Sequence, residues 1–161
     1  MDRTKLRNVD HNALRMNQAM IILMSLIGFL LDWIWLIAIL ALVMVFGTIV
    51  GKPGFSPLYG IFVRFNLLNP DRIHDNPEPH RFAQGFGAGV LIISLGFLLT
   101  GFSLVGWALV WLVIALAALN LFGGFCMGCA MYYWLARLSV PGFDKQPPQD
   151  TIPGMRPRMR S

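Results

Sequence analysis

Residues Phe82–Ala136, FAQGFGAGVLIISLGFLLTGFSLVGWALVWLVIALAALNLFGGFCMGCAMYYWLA, contain not one Asp, Glu, Lys or Arg. About a quarter of the residues in a soluble domain are charged, so an uncharged run of this length is built for lipid. One crossing of the ~30 Å hydrocarbon core takes about 20 residues, which makes the run long enough for two. Thr100-Gly101-Phe102-Ser103-Leu104-Val105-Gly106 is the turn that divides it. One span is expected at Phe82–Leu99. Another begins near Trp107 and reaches the cysteines, with helix carried on to Arg137 and its last two turns projecting from the core. Pro141-Gly142 stops it.

The first half of the chain divides in the same way. Leu14–Leu31 and Trp33–Val50 are apolar, and Asp32 is the only charge between Arg15 and Lys52. An acid at mid-bilayer costs about 2.5–3.5 kcal/mol, so a tight turn that lifts Asp32 to the interface is expected, with Trp33 and Trp35 at that boundary. Lys52-Pro53-Gly54-Phe55-Ser56-Pro57 ends the second span. Leu58–Leu68 reads as a short interfacial helix, Phe62, Phe65 and Leu68 on one face and Arg64 reaching toward headgroups. Asn69–His80 is dense in turn residues and reads as a polar loop. The expected fold is an all-α integral membrane protein: four transmembrane helices as two hairpins, with an interfacial helix in the central loop. The membrane domain is taken as residues 1–140 and a Pro- and Arg-rich tail as 141–161.

Composition agrees, with 56% hydrophobic and 13% charged residues. The thirteen Lys and Arg lie in the amino-terminal segment (Arg3, Lys5, Arg7, Arg15), the central loop (Lys52, Arg64, Arg72, Arg81) and the carboxyl end (Arg137, Lys145, Arg156, Arg158, Arg160). The two opposite turns carry none. By the positive-inside rule both termini and the central loop are expected on the cytoplasmic side of a multi-pass membrane protein. The net charge of +5 is spread through these flanks without aromatic interleaving, which excludes a nucleic-acid surface. The polar residues before the first apolar run, and the absence of a small-x-small cleavage site, argue against a secretory signal peptide. A weak internal repeat matches the hairpins: Arg15-Met16-Asn17-Gln18 with Arg81-Phe82-Ala83-Gln84, and Phe46-Gly47 with Phe122-Gly123.

The chemistry sits in Cys126-Met127-Gly128-Cys129, the only two cysteines of the 161 residues. A C-x-x-C pair at a helix end can close a disulfide, and local electrostatics can lower one thiol pKa. At the carboxyl end of a span the helix dipole disfavours a thiolate. Gly123, Gly124 and Gly128 offset this if they break the helix and turn backbone N–H groups toward sulfur, as does Arg81 or Arg137 if it folds back. Three readings stand: redox or sulfur-transfer chemistry; buried structural thiols beside small residues that let helices approach; and metal binding, which needs two more ligands from His11, His74 and His80. Haem attachment of the c type fails because Ala130 stands where a histidine must follow. Asn120 is placed to hydrogen-bond Gln84 or Gln18 across the bundle, and Gly85, Gly87 and Gly89 mark a close-packing face. No Gly-rich phosphate loop, Ser-His-Asp set or acidic metal cluster is present, so no cofactor is expected. The catalytic assignment is Cys126 as attacking thiol, Cys129 as resolving thiol and Arg81 as stabiliser of the anion, with Gln84 and Asn120 as polar neighbours.

Two runs, Asn76-Pro77-Glu78-Pro79-His80-Arg81-Phe82-Ala83-Gln84-Gly85 and Asn120-Leu121-Phe122-Gly123-Gly124-Phe125-Cys126-Met127-Gly128-Cys129, with Arg15 to Gln18 as opening element, carry a resemblance. Over roughly Val9–Leu138 the chain resembles a bacterial four-span membrane family catalogued as a domain of unknown function (4395), with a Gly-Phe-Cys-x-Gly-Cys signature. The resemblance implies four spans and, because members are found joined to or near sulfur-handling or thioredoxin-like proteins, thiol or sulfur traffic. The expected function is therefore a membrane thiol–disulfide or sulfur-relay protein with a thioredoxin-like or sulfur-carrier partner. The alternative is a non-catalytic subunit of a larger membrane complex. The tail Pro147–Ser161 departs from the family. Its prolines suppress helix, and Arg156, Arg158 and Arg160 suit either an acidic partner subunit or anionic headgroups.

Overall fold

Each long apolar stretch becomes a helix, and the two hairpins meet in a ring. The computed structural model describes residues 7–147 and 152–156. In chain order the elements are β1 (Arg7–Asp10), α1 (His11–Leu30), α2 (Ile34–Val50), α3 (Ser56–Arg64), β2 (Arg72–Asp75), α4 (Pro77–Leu99), α5 (Ser103–Gly123) and α6 (Met127–Arg137). Asp32 lies in the turn between α1 and α2, exposed and at φ 50°. Helices α1, α2, α4 and α5 pack cyclically, each against two of the others.

The ring encloses an apolar core of Ile21, Ile37, Leu40, Met44, Leu91, Val110 and Ile114. Among its buried polar groups, Ser94 Oγ donates to the Gly106 carbonyl at 2.8 Å and Asn17 Oδ1 accepts the Phe55 N–H at 3.2 Å. Ser25 Oγ, equally buried, makes no hydrogen bond within the described residues. The outer surface is as apolar as the core: Leu30, Leu42, Phe46, Leu104 and Phe122 are all exposed. So large an apolar exterior is tolerable only against lipid or another protein. Among the described residues three helices, α1, α4 and α5, are long and apolar enough to cross a membrane. Helix α2 is apolar but has 17 residues, giving about 26 Å at 1.5 Å per residue. That falls a little short of the hydrocarbon thickness.

Four local features differ from the sequence expectation. Helix α3 runs Ser56–Arg64 and not Leu58–Leu68, so Phe65 is its C-cap and Leu68 lies outside it. The polar loop contains β2, which pairs antiparallel with β1 in the register Arg7↔Asp75 to Asp10↔Arg72. Asp10 anchors this corner: its Oδ1 accepts from the Asn12, Ala13 and Asp71 N–H groups, and its Oδ2 from the Tyr59 hydroxyl. Next, α4 starts at Pro77 and not at Phe82. A proline is at home in the first helical turn, where its missing N–H has no intrahelical partner to lose. Finally, α5 does not run through the cysteines. Gly124 adopts φ +64°, the left-handed conformation that suits glycine, and α5 ends there.

Candidate functional site

After Gly124 the chain turns back, and Cys126 becomes the N-cap of a new helix, α6, with extended backbone (φ −95°, ψ 102°). The expectation of a dithiol at a helix carboxyl end is thus corrected, because the break puts the pair at a helix amino terminus. There the dipole and the free N–H groups favour negative charge. Cys126 Sγ accepts the backbone N–H of Cys129 at 3.1 Å. The two cysteines are joined as a disulfide, with Cα atoms 5.2 Å apart, and are only 6% and 3% exposed.

Helix α6 is seated on α4 by a glycine. A Cβ on Gly128 would lie 2.6 Å from the Ala83 Cβ, so only glycine lets the two backbones come this close. The seating brings the first turn of α4 against the disulfide, where His80 Nδ1 stands 3.4 Å from Cys129 Sγ. The other ring nitrogen, Nε2, lies 3.0 Å from Asp75 Oδ2, and His11 Nε2 approaches the same oxygen at 3.3 Å. Asp75 Oδ1 accepts the Asn76 N–H at 2.8 Å. Burial opposes ionisation of Asp75, but the close His11 imidazole, the hydrogen bond to His80, the attraction of His80 when it is protonated and the Asn76 N–H together outweigh it. Its carboxyl is held well below the usual carboxylate range. The result is a Cys–His–Asp line: a carboxylate orients an imidazole, and the imidazole meets a sulfur.

Tyr133, on the far wall, is pushed up to about 12, chiefly by burial. Its hydroxyl lies 3.4 Å from Asn76 Nδ2, which also donates to the Gln146 carbonyl at 2.8 Å.

Arg81 is turned elsewhere. Its guanidinium donates to the Thr48 and Ile49 carbonyls, at 2.6 and 3.4 Å, in the last turn of α2. The residue beside the sulfur is its neighbour, His80. Gln84 donates to the Met44 carbonyl at 2.9 Å, not to Asn120. Asn120 and Gln18 line a cavity of about 60 Å³ together with His11, His80, Cys126 and Cys129. His74 lies in β2, paired with Asn8. Asp75 was not singled out from the sequence, and His11 was considered only as a metal ligand. Their signal is the strand pairing, which brings residues far apart in sequence to one point.

Part of the tail closes over this site. The Cys126 N–H donates to the Gly154 carbonyl at 2.8 Å, and the Arg156 N–H to the Gly124 carbonyl at 3.0 Å. Arg156 also pairs through its guanidinium with Asp71 of the same chain. Gly154, at φ +86°, leaves no room for a side chain, since a Cβ would stand 2.8 Å from both the Ala130 Cβ and the Cys126 carbonyl oxygen. Residues 152–156 are therefore an intramolecular strap, while Arg158 and Arg160 lie outside the described residues.

The chain belongs to the family described as "Domain of unknown function (DUF4395)", whose model matches residues 9–137. That match holds His11, Asp75, His80 and both cysteines and stops short of the strap. No curated protein and no solved structure matches the chain.

Proposed function

We propose that this member of the family is a membrane thiol–disulfide protein that cycles Cys126 and Cys129 between dithiol and disulfide. The observation that carries the reading is the placement of the pair: Cys126 caps a helix amino terminus, and Cys129 faces a carboxylate-oriented histidine. In the reduced protein the Cys126 thiolate, favoured by the Cys129 N–H, attacks a partner disulfide. One partner sulfur leaves as a thiolate, and a mixed disulfide forms. His80 then takes the Cys129 proton at Nδ1 while its Nε2 proton is held by Asp75. The Cys129 thiolate attacks Cys126 Sγ, releases the reduced partner and closes the internal disulfide. Two electrons pass from the pair to the partner, and every step runs in reverse. A persulfide partner uses the same pair: Cys126 receives the terminal sulfur, and Cys129 expels it as hydrosulfide.

The partner is a protein of thioredoxin-like or sulfur-carrier type, and the strap must lift before it reaches Cys126. All four long helices cross the bacterial cytoplasmic membrane, with α2 extended by its flanks. The site, both termini and α3 then face the cytoplasm. The basic flanks support this orientation, since none belongs to the Leu31–Trp33 or Thr100–Phe102 turns.

The burial of both sulfurs favours one competing reading, a non-catalytic subunit with a structural disulfide. Cys129→Ser in intact cells distinguishes them. An exchanging pair accumulates a mixed disulfide through Cys126 that thiol reductants release, and Cys126→Ser, Cys129→Ser does not. A structural pair yields no such adduct, and that outcome refutes the proposal.

A further inference from the structure

We propose that the reduced pair, together with His80, binds a thiophilic divalent cation of the zinc type. The proposal rests on the pair being reducible, but not on exchange with a partner. Cys126 Sγ, Cys129 Sγ and His80 Nδ1 all lie within 4.8 Å of one another. Donors on one tetrahedral zinc ion stand about 3.5–3.8 Å apart, given Zn–S near 2.3 Å and Zn–N near 2.0–2.1 Å. The Nδ1–Sγ separation of 3.4 Å is already close to that, and opening the S–S bond lets the sulfurs part.

The surroundings are those of a ligand set. The ring nitrogen facing away from the sulfurs meets the Asp75 carboxylate at 3.0 Å. A carboxylate there holds the proton on Nε2, leaves the Nδ1 lone pair free and fixes the ring plane, as in carboxylate–histidine–metal arrangements. The Cys129 N–H directed at Cys126 Sγ suits a coordinated thiolate as well as a free one. The fourth position opens on the cavity of about 60 Å³ beside Gln18, Asn120 and Tyr133, which is roomy and polar enough for one water. Two thiolates and an imidazole favour zinc over magnesium or calcium. A second cluster, His11, Asp75 and His80, also lies within 4.8 Å, but it would take Asp75 away from His80. Binding moves no electrons: after a two-electron reductant opens the disulfide, the cation displaces two thiol protons.

The full chain in detergent is reduced with a phosphine, desalted and titrated with Zn²⁺, then with Co²⁺ as a coloured stand-in. The expected result is one tightly held ion per reduced chain and none per oxidised chain. Bound Co²⁺ shows thiolate charge-transfer absorption and tetrahedral ligand-field bands. Cys126→Ser and Cys129→Ser abolish this spectrum, and His80→Ala weakens affinity about tenfold or more. His80→Cys keeps the ion with stronger charge transfer, which a misfolded chain would not. Equal retention by oxidised protein or by the cysteine variants overturns the proposal, the latter pointing to the His11 cluster. Reduced protein that holds no ion yet still exchanges disulfides overturns it too and leaves the redox reading intact.

Discussion

His80 is the residue on which the chemistry turns, because among the described residues it alone joins a buried carboxylate to a sulfur. General-base assistance contributes about 10²–10⁴ in rate. His80→Ala is therefore expected to slow the resolving step by about a hundredfold or more, seen as a longer-lived mixed disulfide in stopped-exchange gels. Attack by Cys126 should change little. Asp75→Asn acts through structure first: it leaves His11 and His80 facing a neutral amide in a buried corner. Hydrogen bonds to a charged group are worth about 1.5–3 kcal/mol each, so thermal unfolding of the oxidised protein should fall by about that amount for the weaker replacement contacts. An unchanged melting temperature would mean that the carboxylate is not organising this corner. The sequence pointed to Arg81 because a guanidinium is the obvious partner for a thiolate. The structure gives that guanidinium to the unsatisfied carbonyls at the end of α2, where a helix terminus attracts positive charge.

Among elements, the break between α5 and α6 decides which end of a helix dipole the cysteines meet. The glycines around the break are visible in the sequence, and a broken helix was one of its open readings. The restart at Cys126 was hidden because no polar cap or charge marks it; a sulfur does the capping. The β1–β2 pair was hidden for a different reason. Each strand has four residues, Asp71-Arg72-Ile73-His74-Asp75 reads locally as loop, and only the partner 65 or so positions away makes it a strand. The seating of α6 on α4 was half legible. Gly128 was noted, but as a source of N–H groups and not as the contact with Ala83. Gly128→Val should force these helices apart, lengthen the His80–Cys129 approach and expose the thiols. Faster maleimide labelling of reduced protein, with a lower melting temperature, is the expected readout. Unaltered labelling would show that the contact does not hold the site together.

At the scale of the whole molecule, the bundle was the most legible part, since uncharged runs and turn residues alone mark four long helices. The strap was not legible, because Ile152-Pro153-Gly154-Met155-Arg156 carries no hydrophobic period and its place is set by two backbone hydrogen bonds and one ion pair. Two such bonds contribute about 2 kcal/mol net. Deleting Pro147 to Ser161 should therefore speed reduction of the disulfide by a small dithiol by up to about thirtyfold, with membrane insertion intact. A rate unchanged by the deletion would mean that the strap does not limit access. The central claim is that the buried pair is a working redox couple. Its most direct test is thiol trapping in intact membranes poised at a series of dithiol/disulfide ratios, with the mass shift of both cysteines read by alkylation. The account predicts one reversible two-electron transition, Cys126 and Cys129 changing together, and its loss in either Cys→Ser variant. A pair that stays fully oxidised, or fully reduced, across the whole series would contradict it.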